Sequence, residues 1–163
     1  MVNIGVPHES VTVFNFKNPP HVLILEARFY NNINDMLIKG VTEALDSAHA
    51  TYEKITVPGA LEIPVALQFA ATRKQGRQFD AFVVLGCVIR GETTHYEIVS
   101  NQSARGIMDV SIRYNLAVGN GILTVENLGQ AIDRADKTRQ NKGGGAAIAA
   151  LSMLSLKQAC EGF

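Results

Sequence analysis

Two hydroxyls and an imidazole stand together at Thr93, Thr94 and His95, immediately after the polar step Arg90, Gly91, Glu92. A histidine with its ordinary pKa of about 6.5 donates and accepts protons at neutral pH. Threonines ahead of a helix, whose first backbone N–H groups lack intrahelical acceptors, suit an anion such as phosphate. The plainer reading makes His95 a helix-start residue satisfied by backbone, and residue type alone leaves both open. Phe29 closes an apolar run and either packs in the core or stacks on a flat ligand. Glu62 follows the turn Pro58, Gly59, Ala60 and either favours a helix dipole or faces the same ligand edge. Arg134 and Lys142 are cations close to the last strand, and from spacing alone a solvated position is the more natural reading.

Several chemistries are unsupported. The histidines His8, His21, His49 and His95 are scattered, and no acidic or thiol cluster sits beside them to hold a metal. Cys87 and Cys160 form no C-x-x-C or zinc spacing and read as free thiols in a reducing compartment. A Gly-x-Gly-x-x-Gly turn after the first strand, a Walker loop and a serine-hydrolase elbow are all missing. Non-covalent binding and proton transfer remain. Lys plus Arg and Asp plus Glu balance at 15 each, which argues against a nucleic-acid or acidic-lipid partner held by bulk charge, although a local basic pocket is compatible. No run approaches the roughly 20 apolar residues of a membrane span, and no charged-then-apolar leader opens the chain. A cytoplasmic protein with no membrane partner is expected.

The elements that must position these residues alternate strand with helix. At 163 residues the chain suits one domain. Residues 1–20, with Pro7, Pro19 and Pro20, read as an extended arm that is disordered alone or lies on a neighbouring subunit. His8 within it reads as solvated. Residues 21–27, HVLILEA, read as a buried parallel strand. Ile33, Leu37, Val41 and Leu45 then mark a helix face, with Asn32 as its N-cap. Residues 51–57 are the second strand, and Pro64 fits the first turn of the following helix. Residues 80–89 are the third strand, and Val99, Ser103, Ile107, Val110 and Tyr114 line the next helix. The fourth strand is expected over residues 116–124, where Gly119 and Gly121 imply close approach of a backbone or a ligand. A short helix over 127–137, a flexible break over 139–145 and a final helix over 146–159 complete the chain. This is an α/β pattern: four parallel strands, covered on both faces, with every polar loop after a strand and therefore on one edge.

Longer motifs carry a family resemblance. Residues 57–64 (VPGALEIP), 85–96 (LGCVIRGETTHY) and 121–127 (GILTVEN), then Gln130 with Ala131, Arg134 with Ala135, and Asn141, Lys142 and Gly143, resemble the lumazine synthases. The likeness runs from about residue 21 to the C-terminus and leaves the arm outside it. It implies a flavodoxin-like three-layer α/β/α sandwich with a four-stranded parallel sheet. It also implies the penultimate step of riboflavin biosynthesis, a transferase reaction without metal or organic cofactor. In that reaction 5-amino-6-(D-ribitylamino)uracil and 3,4-dihydroxy-2-butanone 4-phosphate give 6,7-dimethyl-8-ribityllumazine, phosphate and water. The family's catalytic unit is a pentamer with each site at a subunit interface; decamers and 60-mers also occur, and riboflavin synthase is a candidate partner.

By the same resemblance His95 is the catalytic acid/base, and Gly91, Glu92, Thr93 and Arg134 bind phosphate. Phe29 stacks on the pyrimidine, Ala60, Leu61 and Glu62 bind the ribityl chain, Val88 and Ile89 line the ring pocket, and Lys142 reaches it from the last loop. Three positions depart from the family pattern. Glu92 places a carboxylate where a small residue is common, Asn120 stands where many members carry an aromatic, and Leu61 replaces a common phenylalanine. The competing expectation is a flavin- or lumazine-binding paralogue with weak catalysis.

Overall fold

The apolar run HVLILEA becomes β1 (His21–Ala27), buried along its whole length. A computed structural model describes residues 13–161. In it β1 pairs in parallel with β2 (Thr51–Val57) on one side and β3 (Ala81–Ile89) on the other. β4 (Val118–Val125) pairs with β3, so the sheet order is β2-β1-β3-β4. The α/β expectation holds. The chain steps outward from β1 to β2 and then back across β1 to β3, leaving a crevice where the β1 and β3 connections diverge.

Alternation along the strands divides the core. Val22 and Ile24 of β1, with Val83 and Leu85 of β3, pack under α1 (Asn31–Ser47), α4 (Leu128–Ala135) and α5 (Lys142–Glu161). Leu23, Leu25 and Val84 face the opposite way, under α2 (Ile63–Ala71) and α3 (His95–Arg113). One helix layer therefore holds the first connection, α1, with the two helices after β4. The other holds the two later connections, α2 and α3, the arrangement right-handed crossovers give in this strand order. Residues 60–62 form a single 3-10 turn ahead of α2, whose proline sits at the tolerated N-terminal position.

Several boundaries differ from the sequence expectation. Asn32 does not cap α1: the helix begins at Asn31 behind Tyr30, with no side-chain cap. Asn31 Oδ1 instead accepts from Arg28 Nε at 3.1 Å. β4 starts two residues late, because α3 ends through left-handed Asn115 (φ 52°) and the Leu116 N–H closes back on Ser111 O. α4 is shorter than expected, with Asn127 outside it as the N-cap, accepting from Gln130 N at 2.9 Å.

The break expected over 139–145 ends at Asn141. Residues 143–145 lie in the first turn of α5, and two of their glycines, Gly143 and Gly144, answer a packing demand while Gly145 faces open space. A Cβ on Gly143 would collide with the carbonyl of Leu37 in α1. Asn141 Oδ1 accepts from Gly144 N at 3.1 Å, fixing that turn. Gly119 is similar: a Cβ there would strike the Ala146 carbonyl, so the close approach read from its sequence is the backbone of α5.

Cover on both faces fails at the edge strand, since Thr51–Thr56 is exposed throughout in the single chain. Of the arm, Phe14 and Phe16 stack at 5.6 Å and pack against the core on the α1 side. Residues 1–12, including Pro7 and His8, lie outside the described residues.

Candidate functional site

A cleft of about 450 Å³ opens where β1, β2 and β3 end. Each strand delivers a different wall. After β1, Phe29 projects to the rim, 72 % exposed, held edge-on to Tyr30 at 5.1 Å. Of the two readings open for this residue, the core one is excluded. After β2, the 3-10 turn presents buried Ala60 beside exposed Leu61 and Glu62. A Cβ on Gly59 would lie 2.9 Å from Glu62 Oε2, so the carboxylate folds back over its own turn. From β3 come half-buried Val88 and Ile89, then Gly91, Thr93 and His95. Cys87 also reaches the cleft, but burial pushes its thiol up to about 11, so it is not a thiolate nucleophile at neutral pH.

The loop at residues 91–94 has little packing of its own. All four residues and His95 are exposed, and Gly91 has open space where a Cβ would stand. Thr93 Oγ1 accepts a long bond, 3.4 Å, from the His95 N–H. Thr94 occupies the N-cap of α3 without a side-chain bond of its own, and its carbonyl accepts from Glu97 N at 3.1 Å. Glu92 does not line the cleft.

Charged groups that the sequence reading passed over fix both sides of this site. Glu26, 1 % exposed in β1, accepts from Thr56 Oγ1 at 2.9 Å and Arg28 at 3.0 Å, with Lys54 at 3.4 Å. Burial raises its carboxyl, but the bonds from Thr56 and Arg28 outweigh that and hold it below the ordinary range. Arg28 also binds Asp35 at 2.5 Å, tying the residue before Phe29 to α1. On the β3 side, Arg90 binds Glu126 at 2.7 Å, pairs with Glu97, and lies over the Tyr96 ring at 4.1 Å. Glu97, then Glu126, hold the guanidinium firmly protonated, and Arg90 holds the Glu97 carboxyl below its usual range. The available signal was a charge inside an apolar strand, Glu26, and charges at strand ends, Arg90 and Glu126.

The remaining expected residues lie elsewhere. Asn120, Arg134 and Lys142 line a second cleft of about 400 Å³ beside β4, the N-terminus of α5 and α4. The expectation that every singled-out residue shares one strand-end edge is corrected here: the β4 residues run along the open side of an edge strand. Asn120 Oδ1 accepts from Ile122 N at 2.9 Å, and half-buried Arg134 donates to Gln130 O at 3.1 Å. Lys142 is exposed. No residue lines both clefts.

The first cleft offers an aromatic face, an apolar wall, backbone N–H groups and one imidazole, a set suited to holding a flat ring beside an anion and moving protons. The second offers cations. Among the described residues no group of three or more His, Cys, Asp or Glu side chains could hold a metal ion.

Comparison with known proteins agrees with this chemistry. Residues 19–158 match the family model described as 6,7-dimethyl-8-ribityllumazine synthase. A 6,7-dimethyl-8-ribityllumazine synthase of Sphingopyxis alaskensis is 62 % identical over 138 residues, covering 85 % of this chain and 95 % of that protein. A synthase of the same name from Bartonella tribocorum is 57 % identical over 142 residues, 87 % and 93 % of the two chains. The 6,7-dimethyl-8-ribityllumazine synthase 1 of Rhizobium meliloti is 55 % identical over 142 residues, 86 % and 93 %.

Proposed function

The chain belongs to the 6,7-dimethyl-8-ribityllumazine synthase family, and on that premise we propose that its two clefts are halves of one active site shared between copies. The protein is a transferase of riboflavin biosynthesis. It condenses 5-amino-6-(D-ribitylamino)uracil with 3,4-dihydroxy-2-butanone 4-phosphate, releasing phosphate and water.

The substrate brings its own amine, so no nucleophilic side chain is required. Phe29 stacks on the pyrimidine ring against the wall of Val88 and Ile89. The turn of Ala60, Leu61 and Glu62 takes the ribityl hydroxyls through backbone groups and one carboxylate. Gly91, Glu92 and Thr93 hold the phosphate through backbone N–H groups and a hydroxyl, with Arg134 closing on it from a neighbouring copy. Asn120 and Lys142 of that neighbour face the ring and ribityl chain. His95 carries protons as the amine adds to the ketone carbonyl and a first water leaves, as phosphate is eliminated, and as the second nitrogen closes the ring with loss of a second water.

The observation that carries this reading is the convergence of Phe29, the residue 60–62 turn and the loop bearing His95 on one cleft. Mixing the two substrates and following the product's absorbance tests it; no product, alongside tight riboflavin binding, sinks it in favour of a flavin-binding paralogue.

The protein works as an oligomeric assembly, and we take the pentamer as its form. In support, α2 and α3 expose Val65, Phe69, Ile98, Met108 and Ile112, an apolar surface suited to burial against another copy. The Pro19–Pro20 pair removes donors that inter-subunit strand pairing would use. Light scattering from a megadalton particle would refute the pentamer, and a doubled mass would indicate the decamer. Residues 21–163 are taken as the single catalytic domain, with residues 1–20 as the arm. Riboflavin synthase, which consumes the product, is the partner to seek by co-sedimentation. No helix among the described residues is long and apolar enough to cross a membrane, which fits a cytoplasmic location.

A further inference from the structure

The geometry points to Arg90 as a positioning residue, one that holds the loop at residues 91–94 and the imidazole of His95 where phosphate and proton transfer meet. This rests on the site reading above and assigns a role to a side chain that does not line the cleft. The loop is exposed throughout, and within it only the long bond from His95 N to Thr93 Oγ1 ties it down by a side chain. Its two ends are fastened instead through Arg90.

Before the loop, the Arg90 N–H donates to Val125 O at 2.9 Å, carrying the β3–β4 pairing one residue past Ile89. Its guanidinium then reaches across. Nε meets Glu126 Oε2 at 2.7 Å, the other side of the fork pairs with Glu97 in the first turn of α3, and the plane covers Tyr96 at 4.1 Å. His95 is the residue directly before Tyr96. The side chain thus spans the four-residue loop at 91–94, from the residue before it to Glu97 in the helix that carries His95, and anchors both to the end of β4. A planar fork with two carboxylates and a ring has one low-energy placement; an ammonium on a flexible stem does not reproduce it. Removing the bridge leaves Gly91, with open space where a Cβ would stand, free to swing the N–H groups of the loop.

The test compares Arg90→Met and Arg90→Lys with the unaltered assembly. A displacement of about 1 Å in a positioned group costs about 100-fold. Arg90→Met is therefore expected to lower kcat/KM about 100-fold, through a lower kcat from the displaced imidazole together with a raised KM for the phosphate-bearing substrate. KM for the pyrimidine should stay within about twofold, because Phe29 and residues 60–62 are held by other contacts. Arg90→Lys should recover part of the loss. If both KM values move together, or Arg90→Lys recovers nothing while melting temperature falls equally in both variants, the role is general stability and the inference is overturned. An unchanged KM for the phosphate-bearing substrate overturns it too.

Should Arg90→Met fail to assemble, Glu126→Gln severs one arm alone and should show the same KM split at smaller size; no split there overturns the inference. The reaction itself is separable. Inorganic phosphate titrated against the His95 ring resonances should bind more weakly to the variant even if the unaltered protein makes no product. In that outcome the reaction reading falls while the positioning role stands, and equal phosphate affinity in the two proteins removes the role.

Discussion

The cleft at the strand ends and the cleft beside β4 lie on one chain but are built from different material. The first is mostly backbone turns and apolar wall, with Phe29 and His95 as its distinctive side chains. Its geometry is fixed from outside by two ion-pair anchors, Glu26 with Arg28 and Arg90 with Glu126. The second is polar, supplies Arg134 and Lys142, and sits on an open strand edge. In the proposed reaction one region would orient the reactants and move protons, and the other would contribute charge. A condensation that must align two reactants and neutralise a leaving phosphate needs both, and a single chain does not bring them together.

Removing the reacting group from the first cleft should give the largest effect. His95→Ala is expected to lower kcat by about 10² to 10⁴, the range for a proton-transfer group, with both KM values nearly unchanged. Steady-state kinetics check this, and an unchanged kcat removes His95 from the mechanism. Arg134→Ala, in the second cleft, should instead raise KM for the phosphate-bearing substrate by about 10- to 100-fold, the loss of a charge-assisted pair. If the clefts belong to one shared site, co-assembling equal amounts of the two inactive variants should restore activity. Random mixing joins an intact first cleft to an intact second cleft at about a quarter of the interfaces. Recovery of nothing, with mixed particles demonstrated by mass, would separate the clefts.

A smaller effect should distinguish how the first cleft is held. Glu26 is buried with a carboxyl pKa below its ordinary 4.5. Its stabilisation is then fully present above that value and fades as pH falls through the lowered folded value. Relative to Glu26→Gln, the native protein should be more stable at pH 7 by about 2 kcal/mol, and the gap should narrow only below about pH 4.5. Thermal melts across pH 3 to 7 measure it. A gap independent of pH would remove the charge from the explanation.

What was readable in the sequence followed the same division. β1 and β2 match their expected limits, because apolar or β-branched runs bounded by proline and turn residues leave few alternatives. The strand-end cleft was legible for the same reason, since loops after parallel strands must share an edge. Partner choice was not. Asn31 rather than Asn32 makes the polar contact at the start of α1, because Arg28 claims it. The three glycines at residues 143–145 read as slack, yet Gly143 is small because α1 passes against it. Arg90 finds Glu126 across 36 positions, a pairing that no local pattern encodes. The β4 side was misplaced because a strand at the edge of a sheet offers its flank as well as its end.

Glu92 brings the comparison to its finest point. A carboxylate in a phosphate-binding loop should repel the substrate if it faced the anion. In the structure Glu92 is exposed and does not line the cleft that Gly91 and Thr93 do. An exposed charge pointing into solvent is screened within about 10 Å at 0.1 M salt and contributes little at a distance. Glu92→Gln should therefore lower KM for the phosphate-bearing substrate by less than about twofold at that ionic strength, with the difference growing as salt is reduced. Arg134→Ala at the same low salt should shift KM the other way and much further. A tenfold gain from Glu92→Gln would mean that the carboxylate turns inward when the neighbouring copy closes the site, and the loop would then be a source of charge as well as of N–H groups.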